Sequence, residues 1–288
     1  MLIKSQWYKW FLTFFIVFLN VCIALTTYSA NTKTIDLKIT NDNSYRIITL
    51  SPHLTELVFA LGHGDNIVAV SDYSDYPEKA RLLPSIASYQ GANIGEIIRL
   101  KPTHVLVWKG GNKDSDIQRL KQNEYMLYES NINDIDDLKR NIQEIGRFLN
   151  AEASAADLIE HIERKLAKNV IDRPYINSIY YISNQPLVGL GNDKWINDLL
   201  SVCNINNLYK ISNSAYPQLN KADIIRKQPK LIISATNQSL EQSQEFWKPH
   251  QSQLHSLIVK VDPDAIHRFT PRAIDETLKL CQKVNQSK

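Results

Sequence analysis

The sequence predicts an α/β protein: two pseudo-symmetric lobes with mainly parallel sheets flanked by helices, joined by one long α-helix, with a ligand cleft between the lobes. Three observations predict it. Short apolar runs alternate with helix-patterned stretches, as in parallel sheets covered on both faces. One phrase is written twice, EIIRLKPTHVLV at 96–107 and DIIRKQPKLIIS at 223–234, offset by 127 positions. Between the copies, residues 134–170 hold no proline and one glycine, and Ala155, Leu158, Ile159, Ile162 and Leu166 mark one helical face.

The elements follow in order. RIITL (46–50) is a β-branched run ending at Ser51-Pro52, a buried strand. TELVFAL from Thr55 is a short helix stopped by Gly62. A strand at 67–70, the helix from Glu96, the strand THVLVW (103–108), a helix at 115–122 and the strand EYMLY (124–128) complete a lobe over 46–150. The connecting helix occupies 151–172, its body at 152–169 near 27 Å long at about 1.5 Å per residue. The same grammar then restarts over 173–288. SIYYI (178–182) is a strand, 194–202 a helix, 223–234 the repeated helix and strand, SLIVKVD (256–262) a strand, and 271–284 a helix.

The chain start is different. Residues 1–30 carry only Lys4 and Lys9 as charges, then an apolar stretch over 10–25 broken by Thr13 and Asn20, closing on Ser29-Ala30. That is the build of a cleaved export signal, and it is too short and interrupted for a membrane anchor of about 20 apolar residues. Residues 31–45 form a polar extension. Removal of the signal leaves two cysteines, Cys203 and Cys281, which in an oxidising exported compartment pair as one disulfide or stay as two buried thiols. A bridge over that span is worth roughly 4 kcal/mol on the chain-entropy model. The formal charge is +3 and falls further once the signal's lysines are removed; with no basic run, nothing marks a nucleic-acid partner.

The repeat extends upstream, because Tyr89 and Tyr216 each lie seven residues before Glu96 and Asp223. Ligands of open parallel sheets bind beyond the carboxyl ends of strands, so equivalent loops of both lobes should face one cleft, with Tyr89 and Tyr216 meeting across it. Trp108 ends a strand just before Gly110-Gly111, whose backbone can approach a ligand closely. Tyr73 and Tyr76 straddle a turn before Pro77. Flat aromatics with a few polar groups suit a broad, largely apolar ligand rimmed by amides.

TLSPHLTELVFALG (49–62), YSDYP (73–77), YQGANI (89–94), LKPTHVLVWKGGN (100–112), AYPQL (215–219) and DAIHRFTPR (264–272) resemble the periplasmic cobalamin-binding proteins of ABC importers over residues 46–284, with both cysteines in matching places. YSDYP together with W-x-G-G-N is the specific part. The resemblance implies a receptor, not an enzyme, that holds cobalamin or a related corrinoid between its lobes as transported ligand and hands it to an inner-membrane permease. It places ligand contacts on Tyr73, Tyr89, Trp108, Tyr216 and the loop Asp264, Ala265, Ile266, His267 and Arg268, with Gly110 and Gly111 alongside. Tyr89 and Tyr216 stand where close relatives carry tryptophan. It also implies one permease-docking acid per lobe. Direct alignment puts Gly95 and Ala222 at those positions, with Glu96 and Asp223 one residue later, so the acids are either displaced docking charges or complements to their helix N-termini.

Other functions fit less well. A zinc or manganese receptor needs about three histidines and a carboxylate, and the seven histidines include no H-x-H pair or His-rich loop. A haem or ferric-siderophore receptor is the alternative, since thirteen tyrosines offer an axial ligand and Arg81, Arg268 or Arg272 offer contacts to acidic groups. G-x-S-x-G, H-E-x-x-H and a phosphate loop are all missing, so no enzyme class is indicated and no cofactor is expected.

Overall fold

The computed structural model describes residues 45–123, 125–169, 171 and 174–286. The expected export signal and the extension before Tyr45 lie outside the described residues. Asp42–Lys288 form one compact unit, and among the described residues no helix is long and apolar enough to cross a membrane.

The first sheet is built from β1 (Ile47–Thr49), β2 (Ile67–Ser71), β3 (Ser85–Ser88), β4 (Gly91–Ala92), β5 (His104–Trp108) and β6 (Met126–Ser130), in the order β4-β3-β2-β1-β5-β6. Every pairing is parallel except β3 with β4. Its helices are α1 (Pro52–Ala60), α2 (Ile94–Leu100) and α3 (Asp114–Lys121). Helix α1 starts at Pro52, three residues before the expected Thr55; proline suits a first turn, where its missing N–H has no partner to lose. Strand β6 lies two residues later than EYMLY suggests.

Residues 135–168 become two neighbouring helices, α4 (Ile135–Phe148), capped by Asp134, and α5 (Glu152–Lys168). They approach closely at Gly146, where a Cβ would sit 2.5 Å from that of Ala155. The second sheet holds β7 (Ile176–Asn184), β8 (Leu187–Gly189), β9 (Ile205–Asn207), β10 (Leu231–Ser234) and β11 (Leu257–Lys260), in the order β11-β10-β7-β8 with β9 beside the start of β7. Only β7 with β8 is antiparallel. Helices α6 (Lys194–Val202), α7 (Lys221–Lys227), α8 (Leu240–Trp247), α9 (Pro263–Ile266) and α10 (Pro271–Gln286) complete the chain.

Alternation along the strands explains the layers. Ile47, Leu106, Tyr180, Leu231 and Ile233 face one continuous apolar core shared by both sheets. Ile48, Val105 and Val107 face a separate core under α2 and α3, and Ile179, Tyr181 and Ile232 face another under α7 and α8. The shared core also takes Leu138 and Ile142 of α4, Ile162 of α5, Leu199 of α6 and Leu280 of α10. The long helix therefore does not join the halves alone. Cys203 and Cys281 are bridged, with Cα atoms 5.0 Å apart, tying the end of α6 to α10 inside this core.

The repeated phrase is a repeated structure. Helices α2 and α7 each have seven residues, an asparagine N-cap (Asn93, Asn220) and a left-handed C-cap (Lys101, Gln228) followed by proline. Glu96 and Asp223 occupy the third helical position in both, so the helices begin two residues before the acids rather than at them.

Candidate functional site

Loops at the carboxyl ends of strands in the two sheets touch each other, which is where ligands of such sheets bind. Trp108 closes β5. Its backbone N–H donates to Asn112 Oδ1 at 2.7 Å, and Asn112 Nδ2 donates to the Leu50 carbonyl at 2.8 Å, so the turn after β5 is stitched to the strand beside it. Gly110 adopts φ +89°. Gly111 lies against the indole, where a Cβ would come 1.8 Å from Trp108 Cε3. Its glycine thus serves the tryptophan's seat. The indole meets His53 and Phe269 edge-on at 5.4 and 5.5 Å, and Phe269 meets Trp195 at 5.2 Å. Phe269 and Trp195 come from the second half, so Trp108 sits at the junction of both.

His53 lies beneath it, its ring nitrogens 3.0 Å from Ser51 Oγ and 3.3 Å from Ser130 Oγ. Burial pushes its pKa down to about 3, so the imidazole is neutral.

Tyr73 follows β2 with φ +62°, a left-handed conformation unusual for an aromatic, and its side chain is 80 % exposed. The turn beneath it is held by hydroxyls, with Thr55 Oγ1 2.7 Å from Thr49 Oγ1 and 3.0 Å from Ser74 Oγ. Tyr89 follows β3 and is 87 % exposed. Tyr216 is 43 % exposed, and its hydroxyl donates to Asp193 Oδ2 at 2.9 Å. Burial first, and then the Asp193 charge, push that phenol's pKa well above its ordinary value. Asp193 also caps α6 through the Ile196 N–H. Among the described residues no hydrogen bond or ring contact joins Tyr89 to Tyr216; the two do not meet directly.

The loop after β11 divides. Asp264 is exposed, and its carbonyl accepts from Arg272 Nη2 at 3.2 Å. Ala265 and Ile266 are buried, and the Ile266 carbonyl accepts from Trp195 Nε1 at 3.0 Å. Their side chains belong to the packing behind the loop rather than to its surface. His267 Nε2 lies 2.9 Å from the Tyr180 hydroxyl, and burial holds its pKa down against the nearby Asp193 and Asp264 charges. Arg268 and Arg272 converge on Glu56 of α1, whose side chain is 4 % exposed. Arg272 grips it with Nε to Oε2 at 2.9 Å and Nη2 to Oε1 at 2.7 Å, and Arg268 Nη1 adds a bond at 2.9 Å. A buried carboxylate needs such charge-assisted partners.

Glu96 and Asp223 are each half-buried and ion-paired within their helices, to Arg99 and Arg226. Asp223 also accepts from the Tyr209 hydroxyl at 2.7 Å. Hydrogen bonds from Arg99 and from Tyr209 respectively hold both carboxyls below the usual range. Gly95 and Ala222 are exposed. A groove of about 710 Å³ lies elsewhere, between α8, β11 and α10, and contains none of the predicted ligand residues. Among the described residues no group of three or more histidines, cysteines or acids is placed to hold a metal.

Sequence reasoning missed Glu56, His53, Asn112 and Asp193. Glu56 had a signal in S-P-x-x-T-E; the others depend on partners far apart in the chain.

A two-lobed α/β frame with exposed aromatics on strand-end loops defines a class of extracytoplasmic binding proteins, and the family model for periplasmic binding proteins matches residues 47–253. The chain belongs to that family. It is 30 % identical over 244 residues to the vitamin B12-binding protein of Vibrio cholerae serotype O1, covering 82 % of this chain and 87 % of that one. The vitamin B12-binding protein of Vibrio parahaemolyticus is 26 % identical over 272 residues, 91 % of this chain and 96 % of that one. The crystal structure of periplasmic vitamin B12 binding protein BtuF of Vibrio cholerae superposes with a TM-score of 0.75 at 29 % identity, covering 84 % and 98 % of the two chains. The haem-binding protein HutB of Vibrio cholerae shares the fold, with a TM-score of 0.73 at 19 % identity over 83 % and 98 % of the two chains.

Proposed function

We propose that this protein is an exported receptor that captures cobalamin or a related corrinoid between its two halves and delivers it to an inner-membrane ABC permease. The observation that carries the reading is the set Tyr73, Tyr89 and Tyr216, which are exposed, Tyr216 partly, on loops that follow strands of the two sheets. A stable fold exposes such rings at a price, and a flat, amide-rimmed macrocycle would cover them while their hydroxyls reach its rim. Gly110, in the turn after β5, and Asp264 and His267, in the loop after β11, would supply polar contacts. The lobes would be 46–150 and 173–288 with 151–172 between them, and residues 1–30 a signal removed on export to the periplasm. Glu96 and Asp223 would dock on cationic permease residues as displaced charges, one from each lobe. Binding rather than catalysis is the activity.

The test is an absorption spectrum after mixing with cobalamin and desalting. A retained corrin spectrum supports the reading. A Soret band retained from haem, with no corrin uptake, moves the assignment to the haem receptors that share the fold.

A further inference from the structure

Arg268 falls in the loop that the corrinoid reading assigns to the ligand, yet both of its terminal nitrogens are already bonded within the protein. Nη1 donates to Glu56 Oε1 at 2.9 Å and to Asp75 Oδ1 at 2.6 Å, and Nη2 donates to the Tyr73 carbonyl at 3.1 Å. Its side chain is only 11 % exposed. All three acceptors belong to the first half of the molecule, 193 to 212 residues away in sequence, whereas Arg268 follows β11 of the second half.

The loop that it grips is held in a strained conformation. Tyr73 holds φ +62°, which a bulky residue keeps only when its surroundings over-determine it. Two donors fix its carbonyl, Arg268 Nη2 and the Asp75 N–H at 3.0 Å. Asp75 is fixed in turn by Arg268 at its carboxylate and by Arg81 Nε at its carbonyl, at 3.1 Å. Arg272 lies next to this system, its guanidinium 4.0 Å from the Tyr76 ring centroid, but it makes no bond to Tyr73 or Asp75 among the described residues.

We infer that Arg268 is a positioning residue: from one half of the molecule it clamps the Tyr73 turn of the other, and so holds the Tyr73 ring out as a preformed ligand platform. This rests on the corrinoid reading for the ligand, but not for the clamp. The guanidinium fork is required, because one nitrogen satisfies two carboxylates while the other reaches the carbonyl. A lysine ammonium offers one charged point and cannot span that set. Arg268 therefore acts on affinity only through Tyr73.

Two measurements on the full chain test this. Hydrogen exchange is followed in the ligand-free wild type, Arg268→Lys and Arg272→Lys. Arg268→Lys should speed exchange of the Asp75 amide by about tenfold or more, while Arg272→Lys, which loosens the grip on Glu56, leaves it unchanged. Equal exchange in all three proteins overturns the clamp, whether or not any corrinoid binds. Cyanocobalamin affinity is then measured for Arg268→Lys, Tyr73→Ala and the double variant. Arg268→Lys should weaken binding about tenfold in the wild type and less than twofold once Tyr73 is alanine. The same loss in both backgrounds shows that Arg268 meets the ligand itself and overturns the assignment. Absence of binding in every form, with exchange as expected, removes the corrinoid reading and leaves the clamp standing.

Discussion

His53 and Trp108 are the single residues of the junction on which its acid stability and the proposed binding turn. His53 is neutral and buried, with its pKa pushed down to about 3, while the unfolded chain takes up a proton near the ordinary histidine value. Between those values the unfolded state binds more protons, so stability rises with pH and is lost as pH falls below about 6.5. One such site contributes at most about 1.4 kcal/mol per pH unit, and His104 and His267, also held down by burial, act in the same direction. Thermal melts from pH 7.5 to 5 should show a falling midpoint in the wild type and a shallower fall in His53→Gln. An unchanged slope would assign the acid sensitivity elsewhere. Trp108→Ala removes the aromatic centre of the junction and should weaken cobalamin binding by on the order of 2 kcal/mol, read by calorimetric titration; a loss under twofold would place the indole outside the site. Trp108 and Gly110-Gly111 were legible because a strand-ending tryptophan before two glycines is a local pattern. Glu56 stands in the local S-P-x-x-T-E pattern, but its ion pairs were not legible, because its partners Arg268 and Arg272 are over two hundred residues away.

At the scale of elements, the twofold phrase was the most informative feature, and it became two matched helices, α2 and α7. The helix starts were misplaced because Asn93 and Asn220 cap them, ahead of the acids that catch the eye. In that frame Glu96 and Asp223 lie at equivalent third positions, which suits a partner that reads both lobes at once. Glu96→Lys with Asp223→Lys should leave cobalamin affinity within about twofold and abolish uptake through the cognate permease. Uptake that survives the double reversal removes the docking role. The bridge between α6 and α10 is separate from that surface. Cys203→Ser with Cys281→Ser should cost roughly 4 kcal/mol on the chain-entropy model, seen as a lower denaturation midpoint, and protein from the oxidising compartment should offer no alkylatable thiol by mass spectrometry. Helix α8 went unread although Ser239 and Gln242 form a capping box at its start. Strands β8 and β9 are three residues each, too short for period-two alternation to register.

Across the whole molecule, the two sheets share one apolar core that α4, α5, α6 and α10 fill together. The sequence conveyed two lobes and a connecting helix through periodicity, but it conveyed nothing of this shared packing, because which faces meet depends on tertiary contacts. A continuous core resists hinge opening, and Glu56 with Arg268 and Arg272 pins the halves together at the strand-end loops. A ligand site preformed in this way would lose little binding energy to closure, which would favour tight binding of a rigid macrocycle. Isothermal titration of the purified protein with cyanocobalamin tests that central claim most directly. The account predicts one site per chain and a dissociation constant in the nanomolar range, equivalent to about −12 kcal/mol. No heat and no retained ligand with cobalamin and several other corrinoids would contradict it.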